Sequence, residues 1–167
     1  METTMDNKNT IILPGLPHLE WMTENLSGHG GTEVDGRWYY TYDEAVEAVK
    51  QLGDVWRLPT RGEMLDLCDL GSTWTDEGPG CLPGRWFGGK HDTHHADSLF
   101  LEATGFRDTP SGALTNVGSR GYAWASTPYA SGNYNGGRLR FAADMVNPLI
   151  DDRRSCGFPV RCVRNVK

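Results

Sequence analysis

The chain has 167 residues, 38% of them hydrophobic and 10% aromatic, with 21 glycines. That describes one turn-rich globular domain of loop-heavy α+β or β type and excludes a disordered segment or a helical bundle. The formal net charge of −6 supplies no basic field for a phosphate backbone, so no nucleic-acid partner is expected.

No stretch approaches the roughly 18 apolar residues of a bilayer span. Met1-Glu2-Thr3-Thr4-Met5-Asp6 also lacks the basic and apolar regions of a secretory signal, so neither membrane insertion nor export by a signal of its own is expected. Residues 1–18 carry Pro14 and Pro17 and no sustained periodicity, which reads as a tail or connector before a domain spanning 19–167. Trp21, Met22 and Leu26 suggest a first strand, and Arg37-Trp38-Tyr39-Tyr40 a second.

Two helices follow, each announced by a T-x-x-E capping box, Thr41 to Glu44 and Thr60 to Glu63. The first places Tyr42, Ala45, Val46, Val49 and Leu52 on one face and stops at Gly53; the second places Met64, Leu65, Leu67 and Cys68 inward and stops near Gly71. Trp56-Arg57-Leu58-Pro59 between them is expected to be extended. Beyond Gly71 the chain breaks into short apolar pieces at Arg85–Phe87, Ser98–Leu101, Tyr122–Ser126, Arg138–Met145 and Phe158–Val163, so a β-rich half follows the helical one.

Strict alternation from Arg138 puts Leu139, Phe141, Ala143 and Met145 on one side of a strand and Arg138, Arg140, Ala142 and Asp144 on the other. One side is expected in the core and the other on display. From Gly121 to Val160 there is no Lys, Glu or Gln, although ordinary exposed strands use them freely. The residues present at the doubtful positions are all reachable from an Asn codon by changing its adenines, whereas Lys, Glu, Gln, Met and Trp are not. Trp124 and Met145 would then be fixed.

Five segments carry a family resemblance: Glu20–Leu26, Tyr39–Ala45, Trp56–Thr60, Gly121–Thr127 and Gly157–Arg164. In this order they resemble the signature of the Fibrobacter succinogenes major paralogous domain over about nine tenths of the chain. The resemblance implies an α+β, C-type lectin fold, with two short helices packed on a twisted, mostly antiparallel sheet with long loops. It also implies a variable protein of a diversity-generating retroelement from a gut bacterium or its phage, in which adenines of a template are randomised and the copy replaces the 3′ end of the gene.

On that resemblance the diversified, ligand-facing positions are Ala123, Ala130, Ser131, Gly132, Asn133, Tyr134, Asn135, Arg138, Arg140, Ala142, Asp144, Leu149, Ile150, Asp151, Asp152, Arg153 and Cys156. Phe141, Asn147, Pro148, Arg154 and Gly157 would be scaffold. Ala123 departs from the family pattern, which commonly has an aromatic there. Affinity would depend on which positions hold aromatic or Arg anchors, here Tyr129, Tyr134, Arg138, Arg140 and Arg153.

The implied function is a hypervariable ligand- or receptor-binding protein for phage or cell-surface attachment, without enzymatic activity or cofactor. Its partner would be a protein or glycan on a target cell, and a homo-oligomer such as a trimer, or an N-terminal fusion or assembly partner, is open. A virion or cell surface is the expected location, a phage particle foremost. Two other readings are a structural tail or surface subunit without its own ligand, and a formylglycine-generating-type oxidase that shares the fold and would need Cys156 and Cys162 for copper.

The remaining clusters read more plainly. His91-Asp92-Thr93-His94-His95-Ala96-Asp97 has zinc-ligand chemistry but sits among turn residues and is expected to be a solvated loop. A lectin-type calcium site needs converging oxygens, and Val146-Asn147-Pro148 has Val where one is required. Asp151-Asp152-Arg153-Arg154 reads as a varied loop. Trp38, Trp56, Trp86, Trp124, Phe141 and Phe158 are expected in the core. Cys68, Cys81, Cys156 and Cys162 are expected as buried free thiols, with Cys68–Cys162 or Cys68–Cys81 bridges left open.

Overall fold

The computed structural model describes residues 9–88, 97–128 and 135–166. The chain enters through β1 (Thr10–Ile11), β2 (Leu19–Met22), β3 (Thr32–Val34) and β4 (Arg37–Tyr39), then forms helices α1 (Tyr42–Lys50) and α2 (Arg61–Asp69). Short strands follow as β5 (Ser72–Thr75), β6 (Gly84–Phe87), β7 (Leu99–Glu102), β8 (Phe106–Arg107) and β9 (Leu114–Thr115). The longest strands close the chain, β10 (Arg120–Pro128), β11 (Asn135–Ala142) and β12 (Met145–Arg153), before the short β13 (Val163–Asn165). This is an α+β fold in which every strand pairing between described residues is antiparallel.

Both helices start as the T-x-x-E pattern requires. The Thr41 hydroxyl accepts from the Glu44 N–H at 3.2 Å while the Glu44 carboxylate accepts from the Thr41 N–H at 2.9 Å, and Thr60 and Glu63 repeat the exchange at 3.1 and 2.9 Å. Two backbone donors are thereby satisfied at each start. The helices stop where Gly53 and Gly71 take positive φ, 106° and 90°, a left-handed conformation that glycine adopts without strain. Helix α1 buries Tyr42, Ala45, Ala48 and Val49, and α2 buries Met64 and Leu67.

The sheet β10-β11-β12 stands between two cores. Leu139 and Phe141 lie opposite Ala123 and Gly121 in register, and Leu139, Phe141, Ala123 and Ala125 pack with Met64 and Leu67 of α2, Phe87 and Leu99. Tyr122 and Trp124 point the other way and join Tyr42, Ala45, Ala48 and Val49 of α1, with Phe158. Gly121 is required by this packing, because a Cβ there would lie 2.0 Å from Phe141 Cζ. Each fully buried aromatic of this kind stabilises the fold by about 1.5–3 kcal/mol over an exposed one. Trp124 also donates its indole N–H to the Tyr40 carbonyl at 2.6 Å, so its one polar atom is not left bare.

Several expectations are corrected. The domain does not begin at residue 19, since Thr10 and Ile11 pair with Met22 and Trp21 and Leu13 is fully buried. The Leu16 N–H closes a turn onto the Leu13 carbonyl, and these two apolar side chains, too short a pattern to show periodicity, help fill the α2-side core. The strands form five small sheets among the described residues instead of one. Arg138–Met145 is not a single strand: β11 ends at Ala142 and Met145 pairs back on it, so Ala143 and Asp144 are an exposed turn and Met145 is only half-buried.

Leu26 lies outside β2, and of Phe158–Val163 only Val163 is in a strand. Phe158 instead exchanges two 2.9 Å backbone hydrogen bonds with Tyr40. All four thiols are free, but only Cys156 and Cys162 are buried; Cys68 is half-buried and Cys81 exposed. Among the aromatics, Trp38 and Trp86 are half-buried. Residues 91–96 of the His-rich segment lie outside the described residues.

Candidate ligand-binding surface

Strand β11 sets the geometry of the predicted surface. Alternation correctly groups Arg138, Arg140 and Ala142 on one side of the strand, with Trp124, Tyr122 and Arg120 opposite them in register. That side is not open, because α1 and the Phe158 segment cover it with the core containing Tyr122 and Trp124. Arg138 is only 2% exposed, and Ala142 is also buried. Ala123, at 2% exposure, belongs to the opposite core, and Cys156 is buried beside Phe158. These four positions are therefore corrected from display to interior. The reason is shared: period-two alternation states which side chains point together, not what packs over them.

The exposed part of the set is the β11–β12 turn and the β12 edge. Asp144 and Arg153 are exposed, Leu149 and Ile150 are 51% and 36% exposed, and Arg140, Asp151 and Asp152 are half-buried. The outer strand is held from behind. Arg61 of α2 donates Nη1 to the Leu149 carbonyl at 2.8 Å, and the Asn147 side chain accepts the Leu149 N–H at 2.9 Å. Arg154 pairs with Asp43 and lies 4.8 Å over the Tyr42 ring, fixing the end of β12 to the start of α1. Ala130, Ser131, Gly132, Asn133, Tyr134 and Tyr129 lie outside the described residues, and Asn135 is located only as the backbone partner of Arg153.

Electrostatics beneath this edge is unusual. Arg138 Nε donates to Asp152 Oδ2, and the guanidinium sits 5.8 Å from the Tyr122 ring centre. Arg138 Nη1 and Arg140 Nε are buried with no hydrogen-bond partner among the described residues, although a buried polar atom ordinarily has one. Burial pushes the Cys156 thiol up to about 11, with Asp152 and Asp108 adding to the effect, and it pushes the Cys162 thiol up to about 12 against the pull of Arg161. Both thiols are therefore favoured in the protonated form at neutral pH. The described residues contain no group of three or more His, Cys, Asp or Glu side chains placed to hold a metal.

A second feature escaped the sequence. A cavity of about 840 Å³ opens between β1, β4, β6, β7 and the segment that follows β2, and none of the predicted ligand-facing residues lines it. Its lining runs from Thr10 to Arg161 in the chain, so no local motif could reveal it. No family model matches this chain, and neither a curated protein nor a solved structure matches it.

Proposed function

We propose that this chain is a ligand-binding module of C-type lectin fold, a variable protein of the diversity-generating type, whose recognition surface is the β11–β12 turn and the β12 edge. The observation that carries this is the outer strand itself: Leu149, Ile150 and Arg153 stand exposed beside Asp151 and Asp152, on a sheet buried against a core on each face. Exposed apolar and charged side chains on a preorganised edge can change without refolding what lies beneath them, and preorganisation lowers the entropic cost of each new contact. The partner is a protein or glycan on a target cell, and the module is carried on a phage particle or a cell surface. It works by recognition and not by catalysis.

The decisive test is the coding DNA of a natural population. Substitutions are expected to concentrate at adenines in the codons of Asp144, Leu149, Ile150, Asp151, Asp152 and Arg153, sparing Trp124, Phe141 and Phe158. An even spread of substitutions along the gene overturns the reading.

A further inference from the structure

The cavity between β4, β6 and β7 has the chemistry of a second binding site, separate from the β12 edge. Its volume, about 840 Å³, lies in the range of small-molecule sites. Two kinds of group line it. Trp38, Trp86 and Phe100 supply half-buried aromatic surface, with the Trp86 and Phe100 rings 4.9 Å apart. Asn25, Arg37, Glu102 and Arg161 supply planar polar groups, each able to present two hydrogen-bonding atoms side by side.

Arg161 is the built element of this wall. It is 4% exposed, yet its Nε donates to Asn25 Oδ1 at 2.9 Å and its Nη1 to the Met22 and Phe100 carbonyls at 3.3 and 3.0 Å. Those bonds orient the guanidinium and leave Nη2 without a partner among the described residues, available to a ligand. Burial lowers the Arg161 pKa to about 10, opposed by Glu102, so the group remains cationic at neutral pH. Arg37 is held by Glu102 through two parallel bonds of 3.1 and 3.2 Å.

The charge balance selects the ligand class. Two guanidiniums, Arg37 and Arg161, meet two carboxylates, Glu24 and Glu102, in one lining. An anion entering the cavity meets carboxylates, a cation meets guanidiniums, and a lipid leaves buried polar groups without partners. A neutral molecule with an apolar ring face and hydroxyls at its edge avoids all three penalties: the face lies on the indoles and the hydroxyls pair with the planar groups. We infer that this cavity binds a short, uncharged oligosaccharide, independently of any metal ion and of the β12 edge.

The test uses the full chain with ¹⁵N-labelled tryptophan, titrated with cellotriose, maltotriose and diacetylchitobiose in the presence of a chelator. A sulfated oligosaccharide and adenosine serve as charged and flat-aromatic comparisons. At least one neutral sugar is expected to shift the Trp38 and Trp86 indole N–H signals saturably. Trp86→Ala is expected to weaken that binding about tenfold, while a Leu149→Ser, Ile150→Ser, Arg153→Ser triple variant leaves it unchanged. Absence of shifts from all three neutral sugars, tighter binding of the sulfated sugar or adenosine, or loss of binding in the triple variant each overturns the inference. The wild-type titration decides the matter even if the Trp86 variant fails to fold, and the population sequencing above stands or falls without it.

Discussion

Arg138 and Arg161 are both almost fully buried, and the difference between their surroundings separates two parts of this molecule. Arg161 is tied by three hydrogen bonds to an amide and two main-chain carbonyls, in a wall where β2 and β7 meet. Among the described residues Arg138 has one charged partner, Asp152, whose side chain is 37% exposed, and one buried nitrogen without a partner. The first arginine is part of what holds neighbouring segments together. The second is a charge left inside a sheet that is stabilised by apolar packing on both faces. A residue can thus be buried because the fold needs its hydrogen bonds, or because neighbouring elements happen to close over it.

The largest expected effect follows from Arg161. Arg161→Leu keeps much of the stem but leaves the Met22 and Phe100 carbonyls and the Asn25 amide without their donor, and hydrogen bonds to a charged group contribute about 1.5–3 kcal/mol each. Allowing for water reaching the open side of the cavity, a loss of about 3 kcal/mol is expected in urea unfolding. A loss below about 1 kcal/mol would erase the distinction drawn between the two arginines.

What the sequence disclosed divides along similar lines. The capping boxes at Thr41 and Thr60 and the stops at Gly53 and Gly71 were legible because each works within a few consecutive residues. The sharing of sides by Arg138 and Arg140, or by Leu139 and Phe141, was legible because strand geometry is local too. The turn at Ala143-Asp144 was not, since Asp144 is its one turn-forming residue, no Gly or Pro accompanies it, and the alternation runs through it unbroken. The covering of Arg138 was hidden because it depends on neighbours outside its own strand, Tyr122 and Asp152 among them, and arginine is ordinarily an exposed residue. The cavity was hidden because its lining is assembled from four strands, β1, β4, β6 and β7, and the loops near them.

A smaller effect is expected at the start of α2. Glu63 closes the capping box and accepts two 2.7 Å bonds from Arg57. Burial alone would raise its pKa, but Arg57 and the Thr60 N–H outweigh that and hold it below its ordinary value of 4.5. A carboxylate whose folded pKa is depressed adds stability above its unfolded pKa, and that stability disappears as the pH falls through the folded value. Glu63→Gln preserves an N3 side chain able to close the box while removing the charge. At pH 7 it is expected to cost about 1 kcal/mol, with the difference from wild type shrinking as the pH drops below 4.5 in thermal melts. A gap that stays constant down to pH 2 would assign the effect to packing instead of charge.

The smallest effect, and the most discriminating, is expected at Arg138. Breaking a buried ion pair is costly when the remaining partner is trapped without solvent, but Asp152 lies at the exposed outer strand and can rehydrate. Arg138→Leu also removes the buried Nη1 that has no described partner and retains apolar contact with Tyr122, against which the guanidinium already lies. The expected change in unfolding free energy is within about 1 kcal/mol and can favour the variant, in contrast to the loss at Arg161. If urea unfolding instead shows a loss equal to that of Arg161→Leu, Arg138 is a fixed strut of the sheet. Its removal would then damage the frame on which the β12 edge is displayed, and the contrast with Arg161 would vanish.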